Sequence, residues 1–507
     1  MGSSIESGAV GGPDFPSVDR AFLNRYLQSL VSSHAVVPSG RGQAPPIFLQ
    51  DPSFTPVPLS DVLAGRTPTV ILGDLGCGKT IFLANLASSL ARSTLGDAIS
   101  QDSWLPSLPP LIPLYLPLTG MGEGRLEELI LRAFRQNGAQ DATWEVIEHL
   151  LSKNSFLLLL DGLDQVPRAY QLEAMESITA FLNYRCQDHR VLLTCRLQDF
   201  SLFRTWFART PVVRFREWDD SQVVGDLTAH LGPEASQEIL DGLRQRPGLW
   251  EILHNPLVLS LLKDRVVSRG EAQPLARRQG EVLSALVQGL LEWPATTGRE
   301  PLPGSGIGLR EVKQALAQVA FWTRQYGKSS IDYLTLNGLL KEVTPKGTVT
   351  RDLLHAVLDT GLIHFSEDRQ RLSFWKTILA DYFAALALGE RLQKGEDIDP
   401  YIKDEETRRQ WELPLALLYG TYPKRRDILT EVIDEGEDRA KVALAVRLVT
   451  SNEPPHLYRQ ILSIDPSNVN LRMNLGMAFQ AAGLIQEATA ELEEAHRLKP
   501  DRTDIIA

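Results

Sequence analysis

Residues 73–80 read Gly-Asp-Leu-Gly-Cys-Gly-Lys-Thr and fit the phosphate-binding template G-x-x-x-x-G-K-[ST] at every fixed position. The preceding run, Thr69-Val70-Ile71-Leu72, is short and apolar, as a buried strand should be. The following run, Ile81 to Ala87, has helical spacing of apolar residues. A strand, a glycine-rich turn and a helix are the context this chemistry needs. Gly73, Gly76 and Gly78 let the backbone wrap and aim N–H groups at phosphate oxygens, and the helix N-terminus adds partial positive charge. Lys79 can reach β- and γ-phosphates, and the Thr80 hydroxyl can ligate Mg²⁺. Cys77 serves here as a small residue. The candidate nucleotide-binding set of this stretch is Gly73, Gly76, Cys77, Gly78, Lys79, Thr80 and Ile81.

A second motif lies downstream. Phe156 to Leu160 is an apolar strand that runs into Asp161-Gly162-Leu163-Asp164-Gln165. An acid at the carboxyl end of a parallel strand stands where ligands bind in such sheets. Asp161 would orient the Mg²⁺ shell together with Thr80, and Asp164 would position or activate an attacking water. Thr194-Cys195-Arg196 ends another strand. A cation there can sense the γ-phosphate or stabilise charge during its transfer. Asp161, Asp164 and Arg196 are therefore the candidate catalytic residues.

The chain of 507 residues is too long for one core and predicts three or four domains. Its apolar content of 43% and charged content of 23% are ordinary for a globular protein. A net charge of −11 argues against a general binder of nucleic acid or anionic membrane. Cys77, Cys186 and Cys195 are too few for a disulfide framework, so reduced thiols and a cytoplasmic location are expected. No apolar h-region follows Met1, so no secretion signal is expected, and no apolar run approaches the length of a membrane span. The nine histidines show no metal-ligand spacing, so no structural metal is expected.

Residues 1–16 have the composition of a disordered segment. A helix is predicted over 18–31, with Phe22, Leu23, Tyr26, Leu27 and Leu30 packing on the nucleotide domain. Six prolines in 36–60 predict a linker with little regular structure. From 67 to 215 apolar strands alternate with helical patterns, which predicts a parallel α/β sheet with strands at 69–72, 111–116, 155–160, 191–194 and 212–215. From about 216 onward the pattern is helical throughout; Pro256 must break or begin a helix, and a second helical block runs over 310–390. Within 469–500, Leu475, Gly476, Phe479, Gly483, Ala488, Leu492, Ala495 and Pro500 follow a 34-residue tetratricopeptide pattern, with Arg472 where a tryptophan is usual. One period upstream lies Pro466, after a helix expected at 457–464. So few repeats must stack on helices at 424–450, on a partner, or on a longer parent chain.

Taken in order, the phosphate loop, Asp161-Gly162-Leu163-Asp164 and Thr194-Cys195-Arg196 resemble a NACHT domain, of the STAND class of signal-transducing NTPases that includes NOD-like receptors and bacterial antiphage proteins. Asn255-Pro256-Leu257 resembles the proline motif whose proline lies against adenine. Residues 310–390 resemble the winged-helix domain, where Phe374 to Ala385 resembles the signature F-x-H-x-x-x-x-E-Y-x-A-A. The resemblance implies an α/β P-loop NTPase domain with helices on both faces of a parallel sheet, then an all-α helical domain, a winged-helix domain and a helical, tetratricopeptide-like C-terminus. The boundaries expected are 1–60 for the N-terminal segment, then 61–215, 216–300, 301–390 and 391–507. It implies ATP/ADP and Mg²⁺ as ligands, Pro256 and Lys376 as further nucleotide contacts, and slow ATP hydrolysis.

Two departures stand out. Gln165 replaces a second acid, which puts fast hydrolysis in doubt, and Lys376 replaces the histidine that touches the β-phosphate of ADP. Lys376 is either that contact or a solvated side chain. The resemblance further implies self-association on activation, a ligand sensed at the C-terminal repeats, and a role in innate or antiphage defence. Because the roughly sixty residues before the phosphate-loop strand contain no recognisable nuclease, TIR or death-fold effector, the effector is expected on a separate protein or on a longer parent chain. Three alternatives stay open: a nucleotide-binding scaffold without turnover, a STAND-type transcription regulator, and a steady-turnover ATPase motor.

Overall fold

The computed structural model describes residues 17–34, 49–96, 111–122, 125–167, 170–185, 189–244, 247–264, 279–296, 307–366, 370–421, 458–459, 462, 466–481 and 483–500. Cys186, the segment 1–16, the helices expected at 424–450 and most of that expected at 457–464 lie outside these residues. The chain divides into two compact units: Met1–Asp219 with Asn255–Leu257, and Asp220–His254 with Val258–Ala507.

The first unit is built on a seven-stranded sheet. In chain order its elements are α1 (Ser17–His34), β1 (Leu49–Gln50), β2 (Pro56–Val57), α2 (Leu59–Ala64), β3 (Thr69–Gly73), α3 (Lys79–Leu95), β4 (Ile112–Pro117), α4 (Leu126–Gln136), α5 (Trp144–Lys153), β5 (Phe156–Asp161), α6 (Gln171–Arg185), β6 (Arg190–Arg196) and β7 (Val212–Phe215). The strand order is β2-β1-β7-β3-β6-β5-β4. The five strands from β7 to β4 are mutually parallel, while β1 and β2 add antiparallel at the β7 edge. The sequence predicts those five strands well because parallel strands covered on both faces read as unbroken apolar runs; every residue of β3 and β5 is buried.

Alternation along β3 sorts its side chains between two cores. Ile71 packs with Leu157, Leu159 and Leu192 under Phe82, Leu83 and Leu86 of α3. Val70 and Leu72 pack on the other face with Leu158, Leu160 and Leu193, covered by residues of α1, α4, α5 and α6. Each fully buried Leu or Phe here contributes about 1.5–3 kcal/mol. The predicted N-terminal helix is α1, and it packs as expected: the rings of Phe22 and Tyr26 lie 5.6 and 4.4 Å from that of Phe134.

Two expectations are corrected. The proline-rich segment 36–60 contains β1, β2 and the start of α2. Two-residue strands carry no periodicity to read, and Pro56 sits in the outermost strand, where a missing N–H costs no ladder bond. Nor is the chain helical throughout after 216.

The second unit contains α7 (Asp220–Leu231), α8 (Pro233–Arg244), α9 (Pro247–Ile252), α11 (Gln279–Thr296), α12 (Leu309–Gln325), β8 (Ser330–Asp332), α13 (Tyr333–Val343), α14 (Thr350–Asp359), β9 (Ile363–Phe365), β10 (Arg371–Phe374), α15 (Thr377–Gln393), α16 (Asp399–Ile402), α17 (Glu405–Thr421), α18 (Val469–Ala481) and α19 (Ile485–Leu498); α10 (Pro256–Leu262) begins in the first unit. Strands β8, β10 and β9 form an antiparallel sheet in that order. They break the helical block expected over 310–390, and at three or four residues each they are too short for a period-two signal.

Local chemistry sets these elements. Asp332 caps α13 by accepting a 2.9 Å bond from Thr335 N–H. The rings of Phe321, Tyr401 and Trp411 cluster at 4.9–6.1 Å. In the hairpin of α18 and α19, a Cβ on Gly476 would stand 2.8 Å from Leu492, so only glycine allows this approach. Arg472 ties the same hairpin together, donating to Glu491 at 2.6 Å and to the Pro466 carbonyl at 2.8 and 3.0 Å.

Candidate functional site

The parallel register brings the three motifs to one end of the sheet. Gly73 at the end of β3 pairs with Arg196 at the end of β6, and β5, on the other side of β6, ends in Asp161. This is the carboxyl edge, where ligands of open α/β sheets bind.

Residues 74–78 form the turn into α3. Gly76 and Gly78 are left-handed, with φ of 71° and 101°. Gly78 is the N-cap of α3, and nothing lies within 4 Å of where its Cβ would stand. The first N–H groups of a helix have no intrahelical acceptor, so this open space lies over a site suited to an anion. Lys79 is buried, and its ammonium donates to the carbonyls of Gly73 at 2.8 Å and Asp74 at 2.9 Å. Thr80, the next residue, is exposed. Burial raises the Cys77 thiol pKa, most of it by desolvation with Lys79 opposing, so Cys77 is a neutral thiol near pH 7. A Cβ on Gly73 would stand 2.4 Å from the Cys77 sulfur, which explains the small residue at each position. The Gln198 amide donates to the Asp74 carboxylate at 2.7 Å.

Both oxygens of Asp161 are engaged. Thr194 Oγ1 donates to Oδ1 at 2.8 Å, and the Tyr115 hydroxyl donates to Oδ2 at 3.0 Å. Thr194 Oγ1 in turn accepts the Gly162 N–H at 2.8 Å. The carboxylate is thereby fixed in one orientation, as a metal-shell ligand needs to be. Asp164 and Arg196, given separate roles from sequence, meet as an ion pair: Arg196 Nε lies 3.1 Å from Oδ2, and the Arg196 N–H donates to Oδ1 at 2.9 Å. The Asp164 side chain is 2% exposed and that of Arg196 14%. Gln165 folds over Gly162, where a Cβ would meet its amide at 2.4 Å.

Asn255, Pro256 and Leu257 belong to the first unit. Asn255 is buried; its Nδ2 donates to the Leu75 carbonyl at 2.6 Å, and the Leu257 N–H donates to the Gly76 carbonyl at 3.2 Å. Leu257 and Asn255 also press on Gly76, where a Cβ would stand 2.4 and 2.7 Å from their atoms. Pro256, partly buried, begins α10. Lys376 lies in the second unit, as the N-cap of α15, with its ammonium 3.5 Å from Glu251 and 5.9 Å from the Trp375 ring centre.

The donor set fits a nucleotide and Mg²⁺: an ammonium and helix N-terminus for phosphate, an exposed hydroxyl and an oriented carboxylate for the metal. Fold and site together define a P-loop NTPase domain. Residues 67–224 match the model of the NACHT domain, a family that implies nucleotide and typically Mg²⁺. No curated protein matches the chain.

Among solved structures, the chain is similar to the Drosophila origin recognition complex bound to DNA, at 15% identity over 76% of this chain and 96% of that one, with a TM-score of 0.31. It is similar to a Walker-type ATPase of Pyrococcus abyssi at 12% identity, 64% and 93% coverage and a TM-score of 0.36. It is also similar to the Aeropyrum pernix ORC1 protein in complex with DNA, at 16% identity, 75% and 95% coverage and a TM-score of 0.31. Likeness at this level says nothing of what this chain binds.

Sequence reasoning missed Tyr115, Gln198 and the contact of Asn255 with the loop. Their partners lie 46, 124 and 180 residues away, so no local pattern announces them. Position 255 alone carried a signal, an Asn before a Pro, which reads as a helix cap.

Proposed function

We propose that this chain is a nucleotide-controlled switch of the STAND type. It binds ADP and ATP with Mg²⁺, hydrolyses ATP slowly, and self-associates when a ligand sensed at its C-terminal helices favours the ATP form. The observation that carries this reading is the phosphate loop, with Lys79 and Thr80 at the start of α3 and the fixed Asp161 two strands away. Lys79, Thr80 and the loop glycines 73, 76 and 78, with Cys77 and Ile81, hold phosphates. Thr80 and Asp161 hold Mg²⁺, which supplies charge for phosphoryl transfer. Asp164 orients water, Arg196 meets the γ-phosphate, and Pro256 lies against the base. A switch also needs two states a few kcal/mol apart, each favoured by one nucleotide. The order of α12, β8, α13, α14, β9 and β10 supports a winged helix over 301–390, from which Lys376 reaches the β-phosphate of ADP in the closed state. The α18–α19 hairpin is read as a tetratricopeptide unit. A separate effector would give the output, in defence signalling in the cytoplasm.

A second reading, a nucleotide-binding scaffold without turnover, is favoured by one observation: Asp164 is engaged by Arg196, and Gln165 stands where a second acid would. Lys79→Ala tests nucleotide binding. ATP affinity should fall at least tenfold, about 1.4 kcal/mol, and the nucleotide-dependent rise in melting temperature should vanish. An unchanged thermal shift would remove the phosphate loop from the reading. Light scattering with ADP, ATP and a slowly hydrolysed analogue separates switch from scaffold, since only the switch changes mass.

A further inference from the structure

We propose that Asn255 is a positioning residue for nucleotide, clamping the phosphate loop from behind in the form that receives phosphate. The inference rests on the nucleotide-binding reading above.

The clamp has three bonds. Asn255 Nδ2 donates to the Leu75 carbonyl at 2.6 Å. The Leu257 N–H donates to the Gly76 carbonyl at 3.2 Å and to Asn255 Oδ1 at 3.1 Å. Because a carbonyl can only accept, the Leu75 contact fixes which end of the carboxamide faces the loop. In a planar trans peptide, C=O and the next N–H point to opposite sides. Holding the carbonyls of Leu75 and Gly76 toward Asn255 therefore turns the N–H groups of Gly76 and Cys77 the other way. The Cys77 N–H makes only a long bond, 3.4 Å to the Asp74 carbonyl, which a phosphate oxygen can replace. A loop with these peptides flipped would present carbonyl oxygens to phosphate and repel it.

The glycine at 76 fits the same account. The template leaves that position open, yet here φ is 71° and the Leu257 side chain fills the space a Cβ would need. Burial makes the clamp strong: Asn255 is 5% exposed, so water does not compete for the Leu75 carbonyl.

Asn255 also caps α10 by accepting the Leu257 N–H, so a loss of function on mutation could reflect the cap. Asn255→Ser and Asn255→Asp separate the two roles. Ser and Asp are good N-caps, but neither can donate to Leu75: Ser is too short and Asp has no N–H. Both variants should bind ADP about tenfold more weakly by calorimetry. Their 74–78 amides should exchange with deuterium faster than wild type without nucleotide, and the nucleotide-free melting temperature should fall only by the loss of one buried hydrogen bond, because the α10 cap is kept. If the buried charge of Asp prevents folding, the neutral Ser variant carries the test. Wild-type ADP affinity or wild-type exchange in a folded variant would overturn the clamp and leave Asn255 a helix cap only. Wild-type protein that takes up no ADP would overturn the nucleotide reading and the clamp with it.

Discussion

Replacing Gly76 and Gly78 one at a time by alanine separates two kinds of cost. Both residues are left-handed, so an L side chain at either adds backbone strain of about 1–2 kcal/mol. At Gly78 that is the whole cost in the nucleotide-free protein, because nothing lies within 4 Å of the new methyl. At Gly76 the methyl would stand 2.4 Å from Leu257 Cβ, 2.7 Å from Asn255 Oδ1 and 2.9 Å from Leu257 Cδ2. Contacts under 3 Å cannot persist, and forcing an extra methyl into a packed place costs about 1–3 kcal/mol. Gly76→Ala should therefore destabilise the first unit by about 2–5 kcal/mol, against about 1–2 for Gly78→Ala. Denaturant unfolding without nucleotide, followed through Trp144 and Trp206 of that unit, measures the difference. Equal losses would refute the reasoning, since they would mean that Leu257 and Asn255 do not press on the loop. A larger loss for Gly78→Ala would refute it more strongly.

Asp161→Asn should weaken Mg²⁺-dependent nucleotide binding, while Asp164→Asn should slow turnover and spare binding; identical behaviour in calorimetry and phosphate-release assays would end that division of labour. Asp381, buried beside Arg324, has its carboxyl pushed up to about 6, chiefly by desolvation, with Arg324 opposing. A raised folded pKa means the folded state binds the proton more tightly. The stability it adds is full below about pH 4 and lost as pH rises through 6, an effect of about 3 kcal/mol. Asp381→Asn should remove that slope, so wild type minus variant should fall between pH 4 and 7; parallel curves would refute the assignment. Lys376→Ala should lower ADP affinity more than ATP affinity, as the loss of a contact made only in the closed state. Equal losses for both nucleotides in calorimetry would show that Lys376 is not the latch.

What was legible in the sequence follows from the range of each interaction. The phosphate loop is eight consecutive residues, and the central strands are apolar runs, so local pattern suffices for both. Strands β1, β2 and β8 to β10 are two to four residues long, too short to carry an alternating pattern, and β1 and β10 are held in part by distant partners, β7 and β8. At the site, residue types were readable and partnerships were not. Asp164 and Arg196 were each recognised as charged strand-end residues; that they neutralise each other depends on the register of β6 beside β5. Tyr115 looked like one more large residue in a buried strand until Asp161 gave its hydroxyl a partner.

The margins of the large sheet constrain how copies of this protein can meet. An unpaired strand invites another chain to add to it, the route to uncontrolled stacking. One margin here is β2, two residues long, with Pro56 supplying no N–H. The other is β4, where Pro113 and Pro117 punctuate the row of donors. Neither margin offers a full ladder to a newcomer. Among the described residues, then, the margins of this sheet favour assembly through side-chain surfaces, whose fit can be switched, over lengthening of the sheet, which would be hard to reverse.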